Sequence, residues 1–440
     1  MNLSSLSKPP LRQVVGVLGS LYTAQYLGTG FLYFGLVSIL RRQGTALEHL
    51  AAFQLVGVVW ALKFLWAPLL DAFGARPHGH YRRWVLLLQP LLALSTLALL
   101  LIPAPADQLG ALSVIVAIYA LTSATQDIAV DALAVRSVTA EHRGLANGLA
   151  GAGSWLGNIL GGGLVVLVYD AAGWTAAVVT LSVLTAIPTL AMIKFREPVD
   201  LEELTSASDR FRNAWRSIGN VFTQPGCRSW ALVAMPLFLC GVTAAYGLIT
   251  VALVDTGWSL SAIGILMGIV IGVPAILASL VSGWLVGRFG RARMLLVTGV
   301  IAAAATVMLH PLLSLGGSAP AIVASVCVYV AAMAAASTLV YTVNMDFSRP
   351  RSAGSDFTVL ASVATLFSFV AGAAMTWLAA WVGYVNVSLI GAVLALVGTG
   401  VATLHARRHN VTTSTMLDRS EDSGATLITS PATDHKPQSA

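Results

Sequence analysis

Apolar runs of about twenty residues, divided at intervals by short polar clusters, limit this chain to one environment. Residues 85–102 and 386–404 contain no charged side chain, and a run of that length is what a helix needs to cross the ~30 Å hydrocarbon core of a bilayer. Twelve such runs follow one another, starting near Val14, Ala51, Val85, Ala111, Ala146, Trp174, Ser229, Ala262, Leu295, Ala321, Phe357 and Val385. Hydrocarbon offers the backbone no partners, so each run is expected to be a helix. Composition agrees, with 57% apolar and 10% charged residues against roughly 25% charged in soluble domains. The expected fold class is an all-α integral membrane protein of 12 transmembrane helices.

The basic residues mark sidedness. With the N-terminus in the cytoplasm, the loops after runs 2, 4, 6, 8 and 10 and both tails hold 22 of the 25 Lys and Arg; the positive-inside rule then places both termini in the cytoplasm. The formal charge of +6 therefore reads as orientation, with no nucleic-acid partner implied. The first run exceeds a signal-peptide core of ~7–15 residues and reads as a retained helix. None of the four lysines follows a glycine, which excludes a Gly-Lys-Ser/Thr phosphate loop and an ATPase built on one. Cys227, Cys240 and Cys327 are scattered through apolar sequence and suggest neither a disulfide framework nor a metal site; no cofactor is expected.

The expected organisation is a cytoplasmic segment (1–12), a first six-helix bundle (13–194), a linker (195–228), a second bundle (229–405) and a disordered tail (406–440). Within the linker, Phe211, Trp215, Ile218 and Phe222 alternate with Arg210, Arg212 and Arg216, the pattern of a helix lying on the membrane surface. On helix 5, Gly153, Gly157 and Gly161 recur every four residues and should let another helix approach closely.

One loop occurs twice. Gly283-Trp-Leu-Val-Gly287-Arg288-Phe-Gly290-Arg291-Ala-Arg293 resembles the cytoplasmic loop signature of the major facilitator superfamily, and Ala67-Pro-Leu-Leu-Asp71-Ala-Phe-Gly74, with Arg76, Arg82 and Arg83, looks like its first-half copy. The first copy keeps the acid; the second has Gly287 in its place. The resemblance implies two six-helix bundles related by a pseudo-two-fold axis along the membrane normal. Asp71 is then expected to hold the cytoplasmic face closed through Arg82, Arg83 or Arg136, a contact that Gly287 beside Arg288 cannot make.

Charge inside a membrane costs ~2.5–3.5 kcal/mol per residue on insertion scales and marks function or a paired contact. Lys63 and Asp127 are expected at matching depth, and Asp131 follows Asp127 on the same helical face with Gln126 beside them. One lysine between two carboxylates leaves a surplus negative charge, the requirement for a proton-binding switch; a static ion pair is the competing reading, and sodium bound with Thr125 and Gln126 is a rival to the proton. Tyr22, Gln25, Tyr26, Thr29 and Tyr33 share a face of helix 1 and are expected to line a polar cavity. Thr243, Tyr246 and Thr250 on helix 7, and Ser337, Thr338, Tyr341 and Asn344 on helix 10, are further candidates. Asp346 is expected to pair at the interface near Arg349 and Arg351, with Arg136, Arg288, Arg291 and Arg349 belonging to the gate loops.

Lys63-Phe-Leu-Trp66-Ala-Pro68-Leu-Leu-Asp71 and Ala124-Thr-Gln126-Asp127-Ile-Ala-Val-Asp131-Ala resemble the superfamily branch of muropeptide permeases, acetyl-CoA transporters and rhizobactin and pyochelin siderophore permeases. Leu40-Arg-Arg-Gln-Gly44, Asn344-Met-Asp346-Phe-Ser-Arg349-Pro and Ala353-Gly-Ser-Asp356-Phe-Thr358 are most similar to the siderophore permeases. The resemblance implies uptake of a ferric siderophore across a bacterial inner membrane; composition and spacing lead to a secondary transporter, expected to be monomeric and without enzymatic activity, and the buried carboxylates to a proton drive. Alternatives are a permease for muropeptides or another bulky polar metabolite, drug efflux, and, in a different class, a non-transporting sensor.

Overall fold

The computed structural model describes residues 9–46, 49, 55–73, 79–198, 215–216 and 218–409, and among these there is no strand. Helix α1 (Leu11–Arg42) is π-wound over Phe31–Leu36. The second span, α2, is built from Val58–Leu62, a 3-10 turn at Lys63–Leu65, and Ala67–Ala72. Pro68 accounts for the break, because its ring displaces the carbonyl four residues earlier and it has no N–H to donate. Then come α3 (His80–Leu101) and α4 (Leu109–Ser137). The 55-residue stretch Ala140–Lys194 would be ~80 Å long as one rod, far beyond a single crossing. It divides at Gly173, where φ is +82°, into α5 (143–172) and α6 (174–194).

The second half repeats the pattern with α7 (Cys227–Asp255), α8 (Ser261–Phe289), α9 (Arg291–Leu313), α10 (Ala319–Phe347), α11 (Ala353–Val382) and α12 (Tyr384–Arg408). Ten stretches among the described residues are long and apolar enough to cross a membrane; the double length of one and the broken α2 accommodate the twelve runs read in the sequence. Several helices begin before their apolar run, α3 at His80, α9 at Arg291 and α11 at Ala353. Hydropathy marks where hydrocarbon starts, whereas backbone hydrogen bonding continues into the polar boundary. Ala51, the linker residues Arg210, Phe211 and Arg212, and the tail beyond His409 lie outside the described residues. Ile218 and Phe222 pack against the core of the second bundle.

The two bundles have different cores. Most of the second forms one cluster around Trp230, Phe238 and Tyr329, while Met345, Ala353, Phe357 and Ala361 join a cluster of the first. That of the first is split in two, one part around Val14–Tyr22 and Ile128–Val135, the other around Leu27–Leu40 and Val165–Leu181. Between them runs a polar layer, in which Gln126 Nε2 donates to Gln89 Oε1 (2.7 Å) and Gln89 Nε2 to the Thr185 carbonyl (2.6 Å). The buried charges occupy the same level.

Glycines set the helix contacts. A Cβ on Gly153 would lie 2.8 Å from the Tyr22 Cβ, one on Gly157 2.4 Å from the Thr23 carbonyl oxygen, and one on Gly161 1.8 Å from the Leu27 carbonyl oxygen. The four-residue spacing thus docks α1 on α5. The two halves meet similarly where α5 crosses α8: a Cβ on Gly283 would lie 2.5 Å from the Gly144 carbonyl oxygen. Gly161→Ala is expected to destabilise the protein by at least the ~1–3 kcal/mol of typical overpacking, whereas Gly400→Ala, which meets nothing within 4 Å, leaves the midpoint unchanged or higher. Thermal unfolding in detergent measures both.

Candidate functional site

Breaking α2 at Pro68 brings the Lys63 side chain inward at the level of the first bundle's polar layer. Its ammonium binds Asp127 Oδ2 and lies 3.6 Å from Asp131 Oδ2. Asp127 and Asp131 stand one turn apart on α4, so both carboxylates face α1 and α2. Asp127 also accepts from Gln25 Nε2, and Asp131 accepts from the Tyr22 hydroxyl at 2.9 Å. All three ionisable side chains are at most 10% exposed. The carboxylates are unequally served: Asp127 has the close ammonium and an amide, Asp131 a phenol and the distant edge of the same ammonium.

This cluster forms the floor of a cavity of about 900 Å³, at the upper end of the ~300–1,000 Å³ range of small-molecule sites. Helix α1 supplies Tyr22, Gln25, Tyr26, Thr29 and Tyr33, and α10 supplies Ser337, Thr338 and Tyr341. The Lys and Asp side chains of the cavity come from the first half alone; the second half contributes hydroxyls and apolar side chains. Gln25 Oε1 and Ser279 Oγ, one from each half, line the cavity and have no hydrogen-bond partner among the described residues.

Other expected residues lie elsewhere. Gln126 points away from the carboxylates to Gln89, and Thr125 accepts from Trp66 Nε1 at 3.1 Å, so neither joins Asp127 and Asp131 in a cation site. The described residues contain no cluster of three or more His, Cys, Asp or Glu able to hold a metal. On α7 the Thr243 hydroxyl donates to the Leu239 carbonyl, Tyr246 packs on the second bundle's core, and Thr250 is exposed; none of the three lines the cavity. Asn344 accepts from Trp230 Nε1 at 2.8 Å, outside the cavity. Asn147, Trp155 and Ser279 do line it. The glycine-rich sequence around Asn147 and Trp155 signalled close packing, and that signal hid the residues pointing into the gap beside it.

At the basic-loop end two carboxylates among the described residues tie the halves together. Asp71 accepts from the backbone N–H of Gly354 (3.1 Å) and Ser355 (2.8 Å), the Ser355 hydroxyl (2.6 Å) and the Tyr81 hydroxyl (2.6 Å). It thereby caps the N-terminus of α11, whose orphan N–H groups and positive dipole end favour a carboxylate. This corrects the expected pairing with Arg82, Arg83 or Arg136. Arg136 faces Glu197 at 3.6 Å and lies over the Tyr81 ring, Arg82 donates to the Ile193 carbonyl, and Arg83 is exposed. The second tie is Asp346, which binds Arg143 across the interface (3.1 Å) and Arg291 on its own side (2.9 Å). Arg291 also donates to the Ala140 carbonyl. Arg349 pairs with Asp356 instead, and Arg288 sits exposed over Trp284. A Cβ on Gly287 would lie 3.1 Å from the Glu141 carbonyl oxygen, so the acid-free copy of the loop abuts α5 without capping it.

The chain is similar to the anhydromuropeptide permease of Escherichia coli, 28% identical over 268 residues, which are 58% of this chain and 52% of that protein. The chain thus spans about half the length of this relative. Among solved structures it is similar to the human organic anion transporter TETRAN, with a TM-score of 0.68 and 17% identity over 90% of this chain and 100% of that one. The Escherichia coli fucose:proton symporter gives a TM-score of 0.65 with 14% identity over 90% and 98%. The family described as Major Facilitator Superfamily matches residues 12–372 and 255–428. With a match across both bundles and the shared fold, this multi-pass membrane protein belongs to the major facilitator superfamily.

Proposed function

We propose that this chain is a proton-driven secondary transporter that imports a bulky polar solute by alternating access, with its basic loops in the cytoplasm. The observation that carries the reading is the unequal service of the two carboxylates. A single ammonium cannot neutralise both, and the surplus falls on Asp131, whose partners are Tyr22 and the far side of Lys63. Asp131 is therefore the proton-binding group, and Lys63 with Asp127 sets its field. Sodium coupling loses support because Thr125 and Gln126 face away from the carboxylates. The ties at Asp71 and Asp346 hold the basic-loop end shut, so opening to the cytoplasm requires α11 to leave Asp71 and Arg143 to leave Asp346.

Similarity to a permease named for anhydromuropeptides, together with a large cavity lined by Tyr22, Tyr26, Tyr33, Trp60 and Trp155, supports a sugar-peptide solute. The ferric siderophore reading has weaker support. Asn344, Asp346, Arg349 and Asp356, in the segments most similar to siderophore permeases, make contacts with Trp230, Arg143, Arg291 and one another, and none lines the cavity. Uptake of labelled anhydromuropeptide into right-side-out vesicles, against labelled ferric siderophore, is expected to favour the former and to stop with a protonophore while persisting without sodium. Uptake indifferent to the protonophore would refute the coupling.

Lys63→Ala and Asp127→Ala are each expected to abolish transport, since removing one partner of a buried pair costs ~3–5 kcal/mol; the double change should recover folded protein without activity. Normal transport by the double variant would make the pair structural. Transport should fall as external pH rises, because the cycle needs a proton on Asp131, and Asp131→Asn should flatten that dependence. Asp71→Asn is expected to slow turnover several-fold with solute affinity little changed, while Arg288→Gln has a small effect. Equal effects of these two would contradict the asymmetry of the doubled loop.

A further inference from the structure

The cavity reaches the protein surface along the seam between α2 and α11. Four of its lining side chains lie there, Val58 and Leu62 on α2 and Leu366 and Phe369 on α11, at 52%, 42%, 56% and 65% exposed. The floor is the opposite, with Tyr22, Lys63, Asp127 and Asp131 all buried. The α5/α8 seam on the far side of the cavity is filled at successive levels: Gly144 and Gly148 abut Gly283 and Ser279, Gly272 abuts Ile159, and Gly163 abuts Ile269. At the α2/α11 seam the tie is Asp71 at the basic-loop end, and above it the cavity wall is apolar side chains facing outward.

These side chains sit within the membrane. At 1.5 Å per residue, Val58 and Leu366 are each roughly 20 Å from the basic-loop end, inside a hydrocarbon core of ~30 Å. One helical turn away on the same helices, Leu65 and Val370 are 48% and 55% exposed and do not line the cavity. Thr365, beside Leu366 in the cavity wall, donates its hydroxyl to the Ala361 carbonyl of its own helix, so among the described residues the seam continues the bilayer-facing apolar surface of α2 and α11 into the cavity. Water there would face large apolar side chains with nothing to bond, whereas an acyl chain matches them.

We propose that an acyl chain of a phospholipid, from the leaflet remote from the basic loops, lies in the α2/α11 seam and completes the cavity wall. The chain keeps the carboxylate floor from being wetted sideways, so protons and solute enter from the end remote from the basic loops.

The test uses the full chain in proteoliposomes containing phosphatidylethanolamine with a diazirine at its acyl terminus, irradiated and mapped by mass spectrometry. Adducts on Leu366 or Phe369 are expected at yields within about threefold of those on Leu94 and Val393, which are exposed at the same depth on other helices; their absence overturns the proposal. In parallel, Phe369→Cys and Tyr33→Cys are reacted with a charged, water-soluble methanethiosulfonate, with the unsubstituted chain giving the background from the three native cysteines. Position 369 is expected to react at least about tenfold more slowly than position 33. Equal rates mean that water fills the seam and also overturn the proposal. Neither measurement needs a transported solute, so failed uptake in vesicles would refute the transport reading and leave this one standing.

Discussion

A lysine and two aspartates withdrawn from water at mid-membrane depth set the terms for the rest of this protein. Bare charges there would cost several kcal/mol each, so the first bundle is arranged around serving them: α2 is broken at Pro68, α1 offers a phenol and an amide, and α4 presents both carboxylates on one face. The service leaves one carboxylate short. The proposed proton coupling rests on that shortfall, because a group that needs more neutralisation than its neighbours provide gains affinity for a proton. The split core of the first bundle follows from the same demand. A polar layer through Gln89, Gln126 and Thr185 interrupts the apolar packing of the first bundle, whereas most of the second bundle's core is one cluster.

The division of labour between the halves follows. At the cavity the first half carries the Lys and Asp side chains; the second supplies hydroxyl and apolar wall. The basic-loop end is asymmetric in a related way. In the first copy of the doubled loop, Asp71 reaches across to the start of α11. In the second, Gly287 lets the loop press on the start of α5 without a side chain, and Asp346 with Arg143 and Arg291 supplies the electrostatic tie from a different helix. Both ties join the halves through charged or dipolar contacts that water can replace once the helices part. The glycine contacts between α5 and α8, by contrast, lie next to them as a closely packed crossing. The proposed alternating access needs such a mixture of separable ties and a tight crossing at this end.

Much of this was legible in the sequence because the bilayer admits so few solutions. The helical type of the elements, the two-bundle organisation and the close docking of α1 on α5 followed from apolar run length, the doubled loop and the spacing of Gly153, Gly157 and Gly161. The depth of Lys63, Asp127 and Asp131 could be counted from helix ends, since rise per residue is constant and the membrane fixes the frame. The sequence also determined that these charges needed one another, because a membrane offers them no other neutralisation.

Which way each remaining polar side chain turned was decided by the tertiary structure. Gln126 is adjacent in sequence to Asp127, yet 100° of helix rotation turns it away from the carboxylates to Gln89. Thr243, Tyr246 and Thr250 on α7 have the composition of a cavity face, but helix rotation, the break at Ala244–Ala245 and local partners place them elsewhere. Asp71 stood among arginines in the sequence and found backbone N–H groups 283 and 284 residues away instead, because a helix N-terminus presents donors that are already oriented, whereas the nearby arginines were engaged by Glu197, a backbone carbonyl and solvent. Run length and spacing report what a residue needs. Only the packed helices determine which neighbour meets that need.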